Sequence, residues 1–137
     1  MIKHRRYNHA KDYVDLCHLY EQYKDKGWQP ITPDMIHEHG RVVEFNDVLI
    51  GAIFLYPTGT SLAMMEYLIF DRTYEGKDRD DIIDELILKI LDVAEYIGIR
   101  NVLTWTDLRS LKARYTRLGF ISGDGSEDGL TNLIKKL

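Results

Sequence analysis

Arg72-Thr73-Tyr74-Glu75-Gly76-Lys77-Asp78-Arg79-Asp80 opens the run that decides the fold, and Tyr115-Thr116-Arg117-Leu118-Gly119-Phe120 closes it. Between them, Ile83, Leu86, Ile87, Ile90, Val93, Ala94 and Ile97 recur at the spacing of one broad helix face. Asp84, Glu85, Lys89, Asp92 and Glu95 take the opposite face, and Gly98 stops a helix predicted over Asp81 to Ile97. Asn101 to Thr106 reads as a short buried strand. Leu108 to Leu118 reads as a second helix, with Gly119 as its stop.

Upstream, Ile2 to Tyr7 reads as a first strand. Asp12 to Lys26 carries Tyr13, Leu16, Cys17, Tyr20 and Tyr23 at helical spacing before Gly27. Thr32-Pro33-Asp34 predicts a second, short helix capped by Thr32, with Pro33 at its first position and Gly40 at its end. Arg41 to Phe45 and Val48 to Tyr56 flank the turn pair Asn46-Asp47, and Pro57 to Thr60 turns the chain into Ser61 to Phe70. Phe120 to Ser122 and Leu130 to Ile134 are the last strands, joined by an acidic, glycine-rich loop. The order is β-α-α-β-β-β-α-β-α-β-β. A meander followed by helical crossovers predicts a mixed α/β (α+β) fold, with a central mixed sheet of about six to seven strands and four helices.

The length of 137 residues suits one domain spanning the whole chain, 1–137. The net charge is only −4 with both signs interspersed, so the basic stripe that nucleic-acid binding needs is missing, and Lys3-His4-Arg5-Arg6 is too small to supply it. The lone Cys17 forms no internal disulfide, which fits a reducing compartment. No apolar run approaches the roughly 20 residues needed to cross a bilayer, and Met1 to Arg6 is not followed by an apolar leader stretch. The expectation is a cytoplasmic protein with no membrane partner.

From Tyr74 to Phe120 the chain resembles the acyl-CoA-binding half of the GNAT N-acetyltransferase superfamily, and the order of elements extends that resemblance over the whole chain. It implies an acyl-CoA-dependent N-acyltransferase, most simply one that moves acetyl from acetyl-CoA to a primary amine by direct attack, acting as monomer or homodimer. In that family a loop of the type Arg/Gln-x-x-Gly-x-Gly/Ala holds the CoA pyrophosphate on backbone N–H groups and a helix N-terminus. The resemblance places Gly76, Lys77, Asp78, Arg79 and Asp80 there, with Tyr74, Gly76 and Lys77 matching the common form. Glu75 stands where the family has arginine, and Asp78 and Asp80 stand where it has small residues. A carboxylate about 4 Å from a phosphate costs about 1 kcal/mol in water and about 4 kcal/mol at an effective dielectric near 20. Lys77, Arg79 and Arg72 lie beside these acids in sequence to offset the repulsion.

The resemblance also makes Tyr115 the acid that protonates the departing thiolate. It draws the backbone contacts to the acyl carbonyl from Leu68, Ile69 and Phe70. Glu66, among Met64, Met65, Tyr67 and Leu68, is the candidate base, with burial expected to raise its pKa. The competing readings are a packed tyrosine and an outward strand charge. The asparagine that the family often has near the start of the last helix is missing from Thr106-Asp107-Leu108. The rival function is a non-catalytic GNAT-shaped interaction or structural protein that has lost CoA. Small chains of this kind also occur in phage genomes, some as virion components. A weaker third reading is a regulator that binds CoA without turnover.

His37-Glu38-His39 lacks the spacing that puts two imidazoles on one helix face, so no metal site is expected. Cys17 reads as a small core thiol. The resemblance makes Trp28, Tyr23 and Tyr56 candidates for an acceptor wall, with packing as the competing reading.

Overall fold

The computed structural model describes residues 1–36, 38–123 and 130–137. Among the described residues seven strands form one sheet: β1 (Ile2–Arg6), β2 (Gly40–Phe45), β3 (Val48–Pro57), β4 (Leu62–Phe70), β5 (Asn101–Thr106), β6 (Ile121–Ser122) and β7 (Thr131–Lys136), in the spatial order β1-β2-β3-β4-β5-β7-β6. The sheet is mixed, as the element order predicts. β4 and β5 run parallel, while β1–β2, β2–β3, β5–β7 and β6–β7 are antiparallel. Among the described residues the α-helices are α1 (His9–Glu21), α2 (Arg79–Tyr96) and α3 (Arg109–Arg117).

The chain divides into two compact units, and β3, β4 and α2 each contribute to both. The first comprises Met1–Phe54 and Tyr67–Ile90. Asn46 and Asp47 both adopt positive φ, 49° and 67°, the backbone a tight hairpin turn demands, so β2 folds straight back as β3. Asn8 caps α1 by accepting the Lys11 N–H, so the helix begins three residues before the predicted Asp12. It also ends earlier, at Glu21, and a single 3-10 turn over Lys24–Lys26 leads to Gly27 at φ 72°. α1 is pinned by a buried charge cluster. The Arg5 guanidinium donates to both Asp12 oxygens, at 2.8 and 2.7 Å, and its Nε donates to Glu44. Asp12 also accepts the Asn8 N–H at 2.8 Å.

The second predicted helix, opening at Thr32, is reduced to one 3-10 turn, Pro33–Met35. Pro33 starts it as expected, but the Thr32 hydroxyl donates to the Asp34 carboxylate at 2.6 Å instead of capping a backbone N–H, and Ile36 is already extended. Gly40 therefore begins β2 and ends no helix. A Cβ there would lie 2.7 Å from the Phe54 ring and 2.9 Å from Tyr7 Cβ, so only glycine fits.

The second unit comprises Leu55–Glu66 and Leu91–Leu137. β5 pairs β7 along its whole length, from Asn101↔Lys136 to Thr106↔Thr131. The parallel β4–β5 ladder is short, Leu62↔Asn101 to Met64↔Leu103. The acidic loop falls mostly on residues 124–129, outside the described residues. The buried face of α2 is Ile82, Ile83, Leu86, Ile87, Ile90, Leu91 and Ala94. The predicted face is thus rotated slightly, and Ile97, expected inside, is 36% exposed. Each buried isoleucine or leucine contributes about 1.5–3 kcal/mol, which makes this face the main reason the segment is helical.

Candidate active site

Tyr115-x-x-x-Gly119-Phe120 is first of all a helix stop. Gly119, at φ 100°, lets the chain turn back, so that its N–H reaches Thr116 O at 3.0 Å and the Phe120 N–H reaches Tyr115 O at 2.9 Å. The Tyr115 and Phe120 rings then meet at 5.2 Å between centroids. The cap buries Tyr115 to 2% exposure, the only residue of α3 so buried. Burial pushes the phenol's pKa well above its ordinary value; the Thr104 hydroxyl pulls it back, and the charge of Glu66 raises it further. Tyr115 is thus a phenol fixed by a helix cap and shielded from ionisation by burial.

Glu66 is in the same unit. It is half-buried, and its buried Oε1 has no hydrogen-bond partner. Desolvation raises its pKa to about 7. The next residue, Tyr67, takes φ 59°, a left-handed conformation in mid-strand that a tyrosine adopts only at some cost. That kink interrupts strict alternation along β4. A third member of the cluster, Thr104, escaped the sequence reading. It is 2% exposed and donates from Oγ1 to the Met65 carbonyl at 2.7 Å. Its signal was present, because Val102, Thr104 and Thr106 alternate along β5 and all three are buried.

The loop expected to hold pyrophosphate belongs to the first unit. Tyr74 is clamped edge-on by Phe45 and Phe70, at 5.7 and 5.8 Å between ring centroids. From there its hydroxyl donates to Asp78 Oδ1 at 2.8 Å. Both groups press on Gly76, where a Cβ would lie 2.6 Å from each. Asp78 also opens α2, its carbonyl accepting the Ile82 N–H at 2.9 Å.

Two of the cations expected to offset these carboxylates point elsewhere. Arg72 donates to Asp25 at 2.7 Å and to the Gln22 carbonyl at 2.9 Å. Arg79 donates to the carbonyls of Asp71 and Tyr74, at 2.7 and 3.0 Å, and lies 4.8 Å from the Phe70 ring centre. Lys77, Glu75 and Asp80 are exposed.

On the last turn of β4, Leu68 is half-buried while Ile69 and Phe70 are buried. The Phe70 carbonyl is already occupied by the Tyr23 hydroxyl at 2.7 Å. Tyr23 stacks on Trp28 at 4.6 Å between ring centres, and Arg72 lies 5.1 Å from its ring centre. These two aromatic candidates thus form one latch on the β4 terminus. A groove of about 540 Å³ in the same unit is lined by residues from Arg6 to His9 together with Pro33, Ile36 and Glu38, none of them a predicted site residue. Cys17 is half-buried. His37 lies outside the described residues, and among those described no group of histidine, cysteine and carboxylate side chains is arranged to hold a metal. No described helix is long and apolar enough to cross a membrane.

The architecture has close counterparts among solved structures. N-acetylglutamate synthase from Neisseria gonorrhoeae, complexed with coenzyme A and N-acetyl-glutamate, superposes with a TM-score of 0.78 at 13% identity, over 100% of this chain and 35% of that one. An acetyltransferase of the GNAT family from Staphylococcus aureus Mu50 gives 0.76 at 16% identity, over 100% and 99%. This chain has the GNAT fold. IAA acetyltransferase from Bacillus cereus, at TM-score 0.73 and 15% identity over the full length of both chains, has it too. The sequence matches no protein-family model and no curated protein. At these identities the likeness fixes the GNAT fold, while the chemistry rests on this chain's own residues.

Proposed function

We propose that this GNAT-fold chain is an acyl-CoA-dependent N-acyltransferase that moves acetyl from acetyl-CoA to a primary amine by direct attack, with residues 1–137 as one cytoplasmic domain. The observation that carries the reading is the pair formed by Glu66, desolvated and unpartnered at Oε1, and Tyr115, a buried phenol that feels its charge. The two have opposite dispositions near neutral pH. Glu66, with a pKa of about 7, is poised to take a proton from the amine; Tyr115, held protonated, is poised to give one to the departing thiolate. The backbone of Leu68, Ile69 and Phe70 takes the thioester, and the segment from Gly76 through Lys77, Asp78 and Arg79 to Asp80 takes the pyrophosphate.

A specific observation favours a second reading, a non-catalytic GNAT-fold interaction or structural protein. The Tyr74–Asp78 hydrogen bond covers Gly76, and Arg72 and Arg79 are engaged elsewhere. A phosphate approaching there must displace a carboxylate. Calorimetric titration with acetyl-CoA at moderate salt, followed by an assay of free thiol release with a panel of primary amines, separates the two readings. Binding with turnover supports the enzyme. Absence of binding at millimolar acetyl-CoA eliminates it.

A further inference from the structure

Thr104 is a polar residue in mid-strand at 2% exposure, on the buried side of β5. Its single hydroxyl proton goes to the Met65 carbonyl at 2.7 Å. The parallel β4–β5 ladder stops at Met64↔Leu103, one residue earlier on both strands. The side chain thus supplies the next rung beyond the last backbone pairing, immediately before Glu66 and the left-handed Tyr67. The same hydroxyl favours the ionised form of the Tyr115 phenol. Removing such a hydroxyl leaves the buried carbonyl it served without a partner, and a hydroxyl shared within a buried polar network is worth more than one isolated bond.

We propose that Thr104 is a positioning residue for the acyl transfer described above: its hydroxyl fixes β4 beside Glu66 and turns to Tyr115 once that phenol has given up its proton. The inference rests on the acyltransferase reading. In the transfer, the amine's N–H bond breaks and its proton passes to the Glu66 carboxylate as the N–C bond forms. The C–S bond breaks, and the Tyr115 proton passes to the sulfur, leaving a phenolate. Thr104 loses no proton. It rotates its O–H from the Met65 carbonyl to the phenolate oxygen and holds that charge in a site from which water is excluded. Return of the proton from Glu66 to the phenolate, directly or through solvent, restores both groups and releases Thr104 to Met65.

The test compares Thr104→Val with Thr104→Ser in the full chain, using steady-state kinetics with acetyl-CoA and an accepted amine. Thr104→Val is expected to lower kcat about tenfold with KM for acetyl-CoA unchanged, since one hydrogen bond made in the transition state is worth a factor of about ten. Thr104→Ser is expected to restore most of it. A second readout does not require turnover: the Cζ resonance of Tyr115 in isotope-labelled protein, identified by its loss in Tyr115→Phe. It should move in Thr104→Val and stay in Thr104→Ser. Unchanged kcat in Thr104→Val, no rescue by serine, or an unmoved Tyr115 resonance overturns the proposal. If Thr104→Val does not fold, Thr104→Cys, with a weaker donor of similar size, takes its place, and a loss between those of valine and serine is expected. A resonance that moves in Thr104→Val, beside a wild type that turns over no amine, overturns the acyltransferase reading and leaves the Thr104–Tyr115 coupling standing.

Discussion

The Tyr74 hydroxyl donates to the Asp78 carboxylate at 2.8 Å across Gly76, with both groups within 2.6 Å of where a side chain on that glycine would begin. The geometry has two consequences for an anion approaching the start of α2. The glycine is needed by the protein's own hydrogen bond, so its presence alone is no sign of a ligand. A negative charge, the Asp78 carboxylate, stands beside that glycine.

Replacing that charge should therefore strengthen acetyl-CoA binding. Asp78→Asn keeps an acceptor for Tyr74 and removes the charge. Its dissociation constant should fall at least about fivefold, the equivalent of the ~1 kcal/mol repulsion expected even in water. Adding Asp80→Gly should extend the gain. Calorimetry at two salt concentrations checks the cause, because the gain must shrink as salt screens it. Equal affinity in Asp78→Asn and wild type would mean that the carboxylate swings clear at no cost.

Much of this fold was readable because its signals are local. The α2 periodicity, the Gly98 and Gly119 stops and the Asn46-Asp47 hairpin depend on neighbours a few residues away. The short helix at Thr32 failed because the threonine hydroxyl had a competing partner in Asp34. The engagement of Arg72 away from the loop's carboxylates was hidden for a different reason. Arg72 is engaged by Gln22 and Asp25, about fifty residues upstream, a pairing that only the folded chain brings about. The left-handed Tyr67 has no local signal at all, since nothing in its side chain requests positive φ.

Tyr115→Phe separates the chemical and packing roles of this residue. The phenylalanine ring still packs on Phe120, and the backbone cap through Gly119 is untouched. The melting temperature and acetyl-CoA affinity should stay close to wild type while turnover drops about 10²–10⁴-fold, the range for loss of a general acid. A parallel fall in stability and rate would assign the tyrosine to packing.

The Arg5 cluster makes a prediction independent of function. Asp12 and Glu44 have side chains only 1% and 3% exposed, and Arg5 is their shared partner. Arg5→Met leaves two buried carboxylates without a counter-charge and should cost about 3–5 kcal/mol in urea unfolding. In the wild type, hydrogen bonds from Arg5 and Asn8 outweigh desolvation and lower the Asp12 pKa below its ordinary value. Its stabilisation is therefore present above the unfolded pKa and is lost as the pH falls through the folded one. Arg5→Met should weaken that acid-side dependence, since only the Asn8 N–H bond remains to lower the Asp12 pKa.

Glu66 has the opposite sign. Its folded pKa, about 7, lies above the unfolded value near 4.5, so between these two pH values the native state binds the extra proton. Wild-type stability should fall as pH rises across that window, and Glu66→Gln should remove the slope. Turnover should do the reverse: if Glu66 is the base, the rate rises with an apparent pKa near 7 and the limb vanishes in Glu66→Gln. The amine's own ionisation also produces a rising limb, so two acceptors of different basicity are needed. A limb that stays near pH 7 with both acceptors belongs to Glu66. A limb that follows the acceptor and survives in Glu66→Gln removes the residue from the chemistry. The stability slope, which involves no substrate, would still report the buried carboxyl.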